Sequence, residues 1–163
     1  MEPLVSHSER ERANLGVVRQ FFGEEPGPAD KSELFAEDGV WWNGLPMIPG
    51  AEGVMEHRGR DAIRNILPSQ NVGRGLLPGR DAYKLETVRA HDVVMLADGD
   101  HVVRQQNLTA ETKRGQHYAN TYCFVFRFGD DGKIAYLTEH WNTWQAQRML
   151  FNAYDVQAAD PQS

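Results

Sequence analysis

Four long segments in the second half of the chain have the residue types and alternation of β-strands, and they are cut by three glycine-bearing turns. They cover residues 83–97, 101–112, 116–128 and 133–141. The turns are Asp98-Gly99, Lys113-Arg114-Gly115 and Asp131-Gly132. Glycine next to aspartate closes tight hairpins, because both central residues of such turns need backbone angles that glycine adopts freely. Alternation of apolar and polar residues places one set of side chains on each face of a sheet. A kink is expected in the first of these strands near His91-Asp92. The pattern predicts a meander of four antiparallel strands.

The first half of the chain has a different period. Ser8 and Glu11 are spaced to close a capping box. Leu15, Val18, Phe21 and Phe22 then recur on one helical face, and Gly23 with Pro26-Gly27-Pro28 ends the helix. Asp30-x-x-Glu33 predicts a second, short helix carrying Leu34 and Phe35 and ending at Gly39. Val40-Trp41-Trp42 predicts a short strand. A glycine- and proline-rich loop follows over 44–53, then a brief strand over 54–57. A third helix is expected over 60–67, with Ile63, Ile66 and Leu67 inward. Segment 68–79 holds two prolines and three glycines and predicts an exposed stretch over a pocket. A last helix is expected over 143–151, and the tail from Ala158 should fray. Helices followed by an antiparallel meander predict an α+β fold with its helices on one face of the sheet.

The chain's 163 residues favour one domain over two, with a core near 8–152. The formal net charge is -6, from 17 basic and 23 acidic residues. That balance argues against nucleic acid or anionic membrane as a partner, since both need a basic surface. Cys123 is the one cysteine, so no internal disulfide can form. The start of the sequence lacks a secretory pattern, and the longest apolar runs, such as 93–97, are too short to span a bilayer. The cytoplasm is the expected address. None of the six histidines makes a metal-binding spacing, and no phosphate or dinucleotide loop is present. No metal or cofactor is expected.

Four stretches, taken in order, resemble the SnoaL-like branch of the NTF2-like superfamily. They are Phe35-Ala36-Glu37-Asp38-Gly39-Val40-Trp41; Arg58-Gly59-Arg60-Asp61-Ala62-Ile63; Tyr118-Ala119-Asn120-Thr121-Tyr122 with Phe126; and Asp131-Gly132-Lys133-Ile134 with Glu139-His140-Trp141-Asn142. The end of the chain is most similar to the phenazine-biosynthesis A/B proteins, through Glu139, Asn142, Gln145 and Arg148. The resemblance implies a single cone-shaped domain over 1–163, a long curved sheet wrapped around N-terminal helices. It also implies a homodimer or homotrimer and, where a member is an enzyme, acid–base chemistry without a cofactor. Three positions depart from relatives. Asn43 stands where the steroid isomerases carry an aspartate base, Phe21 replaces their tyrosine, and Ile66 replaces the histidine of the phenazine proteins.

Glu139 is the leading catalytic candidate. Alternation puts it with Ala135, Leu137 and Trp141 on a largely apolar face, where a carboxylate loses hydration and gains basicity. Two other arrangements fit the same residues: a rim glutamate paired with arginine, or the opposite strand phase with His140 inside. Asn120 shares a face with Tyr118, Tyr122, Phe124 and Phe126 and needs a partner there, either a substrate oxygen or a structural group. Tyr118 and Tyr122 can donate to a developing oxyanion or simply pack. Arg104, if inward, could pair with Glu139 or hold an anionic intermediate; if outward it is solvated or at a subunit contact. Trp41 and Trp141 offer flat surfaces for an aromatic ligand. Asn43 and His57 are placed near the pocket, His57 toward its mouth.

These readings converge on a cofactor-independent lyase, dehydratase or isomerase acting on a small hydroxylated aromatic or ketone, for example by loss of water or formaldehyde from an aromatic diol. The alternative is a non-catalytic binding protein or an assembly domain of the same fold, the latter with its interior filled by side chains.

Overall fold

The computed structural model describes residues 7–44, 55–67 and 83–150. The expected loop beyond Gly44, the segment 68–79 and the tail from Ala158 lie outside the described residues.

Helix α1 (Glu9–Phe22) begins with both halves of the Ser8–Glu11 capping box and ends at Gly23, whose φ of 75° is the left-handed conformation that lets the next amides close on Arg19 and Gln20. Both of its ends are tied to the sheet. Near the start, Glu11 accepts from the amide of Gly99, and Asn14 donates to the carbonyl of Gly99. At the far end the turn at Gly23 delivers Glu24 over the strands.

Asp30 caps only a single 3-10 turn (Lys31–Leu34), through the amide and hydroxyl of Ser32. The expected second helix does not continue into Phe35. Strand β1 starts there instead (Phe35–Trp42) and runs through Gly39. Its pairing shifts between Phe35 and Val40, so residues 36–39 bulge out of the ladder. Gly39 permits the bulge by close approach: a Cβ there would meet the carbonyl oxygens of Ala36 and Ile134 at 3.0 Å.

The remaining elements are β2 (Glu56–Arg58), α2 (Arg60–Ile66), β3 (Arg89–Asp98), β4 (His101–Glu111), β5 (His117–Phe128), β6 (Ile134–Trp141) and α3 (Thr143–Leu150). The strand expected to start at Tyr83 begins only at Arg89. Before it, Tyr83 makes one bridge to Thr112 and Leu85–Thr87 form a 3-10 turn. The expected kink is a β-bulge at Asp92, which carries a φ of 53°.

The six strands lie in the order β2-β1-β6-β5-β4-β3. The meander β3 to β6 is antiparallel throughout, but β1 joins β6 in parallel, so the sheet is mixed rather than wholly antiparallel. This parallel pair brings the N-terminal Trp41 beside the C-terminal Leu137. One face of the sheet packs on α1 and α2 through Leu15, Val18, Ile63, Phe126, Ile134 and Leu137, all buried. Each such side chain contributes roughly 1.5–3 kcal/mol on leaving water. The core thins toward the other end of that face, where a cavity opens.

Candidate active site

The cavity has a volume of about 500 Å³ and, among the described residues, is lined from α1 and the turn after it, α2, both 3-10 turns, and β1, β3, β4, β5 and β6. Among the described residues the interior is therefore not plugged by side chains, the arrangement expected of an assembly domain.

The inner face is ordered by register. Arg104, Phe124 and Glu139 stand side by side on β4, β5 and β6, and Gln106, Tyr122 and Trp141 form the next row. Adjacent strands are about 4.8 Å apart, so Arg104 and Glu139 sit on strands about 10 Å apart with Phe124 between them. Tyr122 stacks on Phe124, with centroids 5.7 Å apart and planes at 5°, and on Trp141 at 5.4 Å and 23°. The cavity floor is thus a continuous aromatic surface with a carboxylate at one side and a guanidinium at the other.

Glu139 faces the cavity, and His140 on the opposite face is exposed. Trp41 donates its indole N–H to Oε2 of Glu139 at 3.1 Å. Trp141 donates its own indole N–H to the backbone carbonyl of Asn43 at 2.7 Å. Both tryptophans border the cavity, each with its ring plane fixed by a hydrogen bond. Asn43 is buried and also lines the space.

The pairing of Arg104 with Glu139 that its strand position suggested is not formed. Arg104 is inward and fully buried, but its guanidinium forks onto Glu24, with Nη1 to Oε2 at 2.9 Å and Nη2 to Oε1 at 2.5 Å. Its Nε donates to Gln106 at 2.7 Å, and the guanidinium carbon lies 4.0 Å from the centre of the Phe22 ring. The physical reason is distance: Phe124 separates Arg104 from Glu139, whereas Gly23 turns Glu24 directly over it. The hydrogen bond from Arg104 holds the Glu24 carboxyl below the ordinary glutamate value.

Asn120 lies outside the cavity lining. Its amide donates to the Tyr118 hydroxyl at 2.7 Å and to the carbonyl of Asn142 at 3.0 Å, and its oxygen accepts from the amide of Asn142. These contacts anchor the entry to α3. Asn120 donates its amide to the buried Tyr118 hydroxyl, which shares a further hydrogen bond with the Tyr122 hydroxyl at 3.0 Å. Tyr122 in turn lies 3.2 Å from the Tyr83 hydroxyl. Tyr83 and Tyr122 line the cavity; Tyr118 stands one step behind them. Burial pushes the Tyr118 hydroxyl up and the Tyr122 hydroxyl well above the ordinary tyrosine value, and the nearby Glu139 acts in the same direction, so both remain protonated donors at neutral pH.

His57 is buried on β2, paired with Trp41, but does not line the cavity. It stands beside Trp41 on the neighbouring edge strand, one strand out from the cavity wall rather than at its mouth. Desolvation lowers its pKa, favouring the neutral ring. Among the described residues no group of three histidine, cysteine, aspartate or glutamate side chains could hold a metal ion, and no helix is long and apolar enough to cross a membrane.

Glu24, Phe22, Tyr83 and Gln106 are site residues that strand alternation did not single out. Glu24 and Phe22 reach the cavity because a helix ends there, and Tyr83 because its bridge to Thr112 turns it inward.

The fold has many solved counterparts. A phenazine biosynthesis-related protein from Pseudomonas aeruginosa superposes with a TM-score of 0.61 at 20% identity, over 99% of this chain and 93% of that one. A Jannaschia sp. CCS1 protein named for the SnoaL-like polyketide cyclases gives 0.59 at 16% identity, over 91% and 98%. An epoxide hydrolase of the LEH-like type from Mycobacterium tuberculosis gives 0.53 at 18% identity, over 92% and 95%. At these identities the likeness is one of fold. No curated protein sequence matches the chain. The sequence profile of the SnoaL-like domain matches residues 24–137, well over half of the 163-residue chain, from β1 into the first half of β6. The chain belongs to the SnoaL-like domain family, with the α+β architecture of the NTF2-like proteins.

Proposed function

We propose that this protein is a cofactor-independent acid–base enzyme, a lyase, dehydratase or isomerase, whose base is Glu139 and whose substrate is a small hydroxylated aromatic or ketone. The observation that carries this reading is a carboxylate on the wall of an aromatic cavity, oriented by the indole N–H of Trp41. A carboxylate so placed takes a proton from carbon or hydroxyl, and geometry favours the transfer before basicity does.

In an elimination, Glu139 removes a proton from the carbon next to the one bearing a hydroxyl. The electron pair of that C–H bond forms the double bond, and the hydroxyl leaves as water after taking a proton back from the site. In an isomerisation, the same carboxylate returns the proton to a different carbon while charge rests on the carbonyl oxygen. The hydroxyls of Tyr122 and Tyr83 are the donors for that oxygen, and Asn120 positions them through Tyr118. Asn120 is thus a positioning residue in this reading. Trp41, Trp141 and Phe124 receive the flat ring.

The test is turnover of aromatic diols and hydroxyketones, followed by mass spectrometry. Glu139→Gln keeps the volume and removes the base, so turnover should fall by about 10²–10⁴. Equal turnover by the folded variant overturns the assignment, and absence of product from the unmodified protein across the panel favours a binding protein.

A further inference from the structure

Arg104 is a charge built into the cavity that the acid–base step at Glu139 does not use. It is fully buried, whereas 40% of the side-chain surface of its partner Glu24 is open to solvent. The two ends of this pair therefore have unequal freedom. Glu24 stands just past the end of α1 and can rotate into water; Arg104 is held in place by Gln106, Phe22 and Met95 and cannot follow it. Any anion of the right shape that enters the cavity meets a guanidinium whose present partner can leave.

The second donor is Gln106. Because arginine only donates, the Gln106 oxygen is the atom that accepts from Nε of Arg104. Its amide NH₂ is then the end left over, and it has no hydrogen-bond partner among the described residues, although the side chain is buried and borders the cavity. An amide that opens on the cavity with no protein acceptor is free to donate to a ligand oxygen. A planar guanidinium and an adjacent amide NH₂ match a carboxylate, whose two oxygens take parallel N–H bonds. Exchange of one carboxylate for another also leaves the net charge of the cavity unchanged, which avoids the large penalty for a buried unpaired arginine.

We propose that Arg104 and Gln106 form the seat for a carboxylate carried by the substrate, and that Glu24 is the seat's internal occupant, displaced when the substrate enters. This rests on the cavity being a substrate site and deepens that reading by naming the substrate class: a ring acid, with its carboxylate at Arg104 and its reacting group toward Glu139 on the second strand over. Across about 10 Å of floor this spans one ring and a short side arm.

Calorimetric titration near neutral pH tests it, with 4-hydroxybenzoate, trans-cinnamate and the primary amides of both as probes. The unmodified protein should bind the acids at least tenfold more tightly than the amides. Glu24→Ala should tighten acid binding severalfold and leave amide binding unchanged, since the competing carboxylate is gone; unliganded, it should melt lower, and the acids should restore its melting temperature. Arg104→Met, if folded by circular dichroism, should bind acid and amide alike. The proposal is overturned if neither acid binds, if acid and amide bind equally to the unmodified protein, or if Glu24→Ala leaves their ratio unchanged. The same titration on Glu139→Gln should keep the preference for the acids, so this inference and the role of Glu139 fail separately.

Discussion

Trp41 on β1 donates to Glu139 on β6 across the parallel pair of the sheet, at 3.1 Å and 98 residues apart in sequence. The bond makes one end of the chain orient the acidic group of the other. Trp41 is itself held by a stacked Phe35, with ring planes at 13°. The carboxylate's orientation therefore depends on packing in the first strand.

Trp41→Phe tests that dependence. It keeps a ring in the stack and removes the donor. A hydrogen bond to a charged group contributes about 1.5–3 kcal/mol, so kcat should fall roughly tenfold or more. The acid limb of the pH–rate profile should move to higher pH, because the ionised form of Glu139 loses a donor; a purely structural defect would not move that limb.

Asn120→Ala removes the amide that joins Tyr118 to the start of α3. Three hydrogen bonds are lost in a buried setting. Unfolding in urea should show a loss of about 2–3 kcal/mol. Turnover should fall as well, but with KM moving as much as kcat, since the tyrosine donors lose their fixed positions.

Gly39→Ala places a methyl group 3.0 Å from the carbonyl oxygens of Ala36 in the bulge and of Ile134, which pairs with Phe35 in the β1–β6 ladder. Overpacking of this kind destabilises by about 1–3 kcal/mol, and the thermal midpoint should drop accordingly. An unchanged midpoint would mean that the bulge at 36–39 is softer than its contacts imply.

The stability of the fold should weaken in acid in two steps. Both His57 and Glu24 have folded pKa values below their unfolded ones, from burial and from the Arg104 hydrogen bond respectively. In each case the unfolded chain binds the proton more readily, so stability is fully present above the unfolded value and is lost as pH falls toward and through the folded one. For His57 the loss begins below about 6.5, and for Glu24 below about 4.5. Melting temperatures measured from pH 8 to 3 should show both declines; Glu11, Asp30, Glu56, Asp92 and Asp100 share the lower one, so Glu24→Gln should lessen it and leave the upper one unchanged.

The grouping of side chains along β6 was legible in advance, because alternation is a local property, but which of its two faces is the inner one was not. Leu137, Glu139 and Trp141 share a face in any extended chain, and the structure turns that face to the cavity. The capping box at Ser8 and the turn at Asp98-Gly99 were legible for the same reason: each is completed within four residues. Gly39 was misleading. A glycine after a short capped segment reads as a helix stop, and only the strand opposite shows that it serves a bulge.

The use made of each polar side chain was not legible. Alternation marked Arg104 and Asn120 as possible inner groups but could not say what would meet them. Glu24 lies 80 residues from Arg104 in sequence, and Asn142 lies 22 residues from Asn120. Which of several possible partners an arginine or an amide finds is a matter of a few ångströms in space, and no spacing along the chain encodes it. The sequence by itself determined the antiparallel meander and which side chains share a face on each strand, Glu139 with Leu137 and Trp141 among them, because backbone geometry repeats every two residues. Tertiary structure alone decided that Glu139 faces an open cavity, that Trp41 orients it, and that Arg104 answers to Glu24, because those relations exist only once helix α1 lies across a sheet in which β1 pairs with β6.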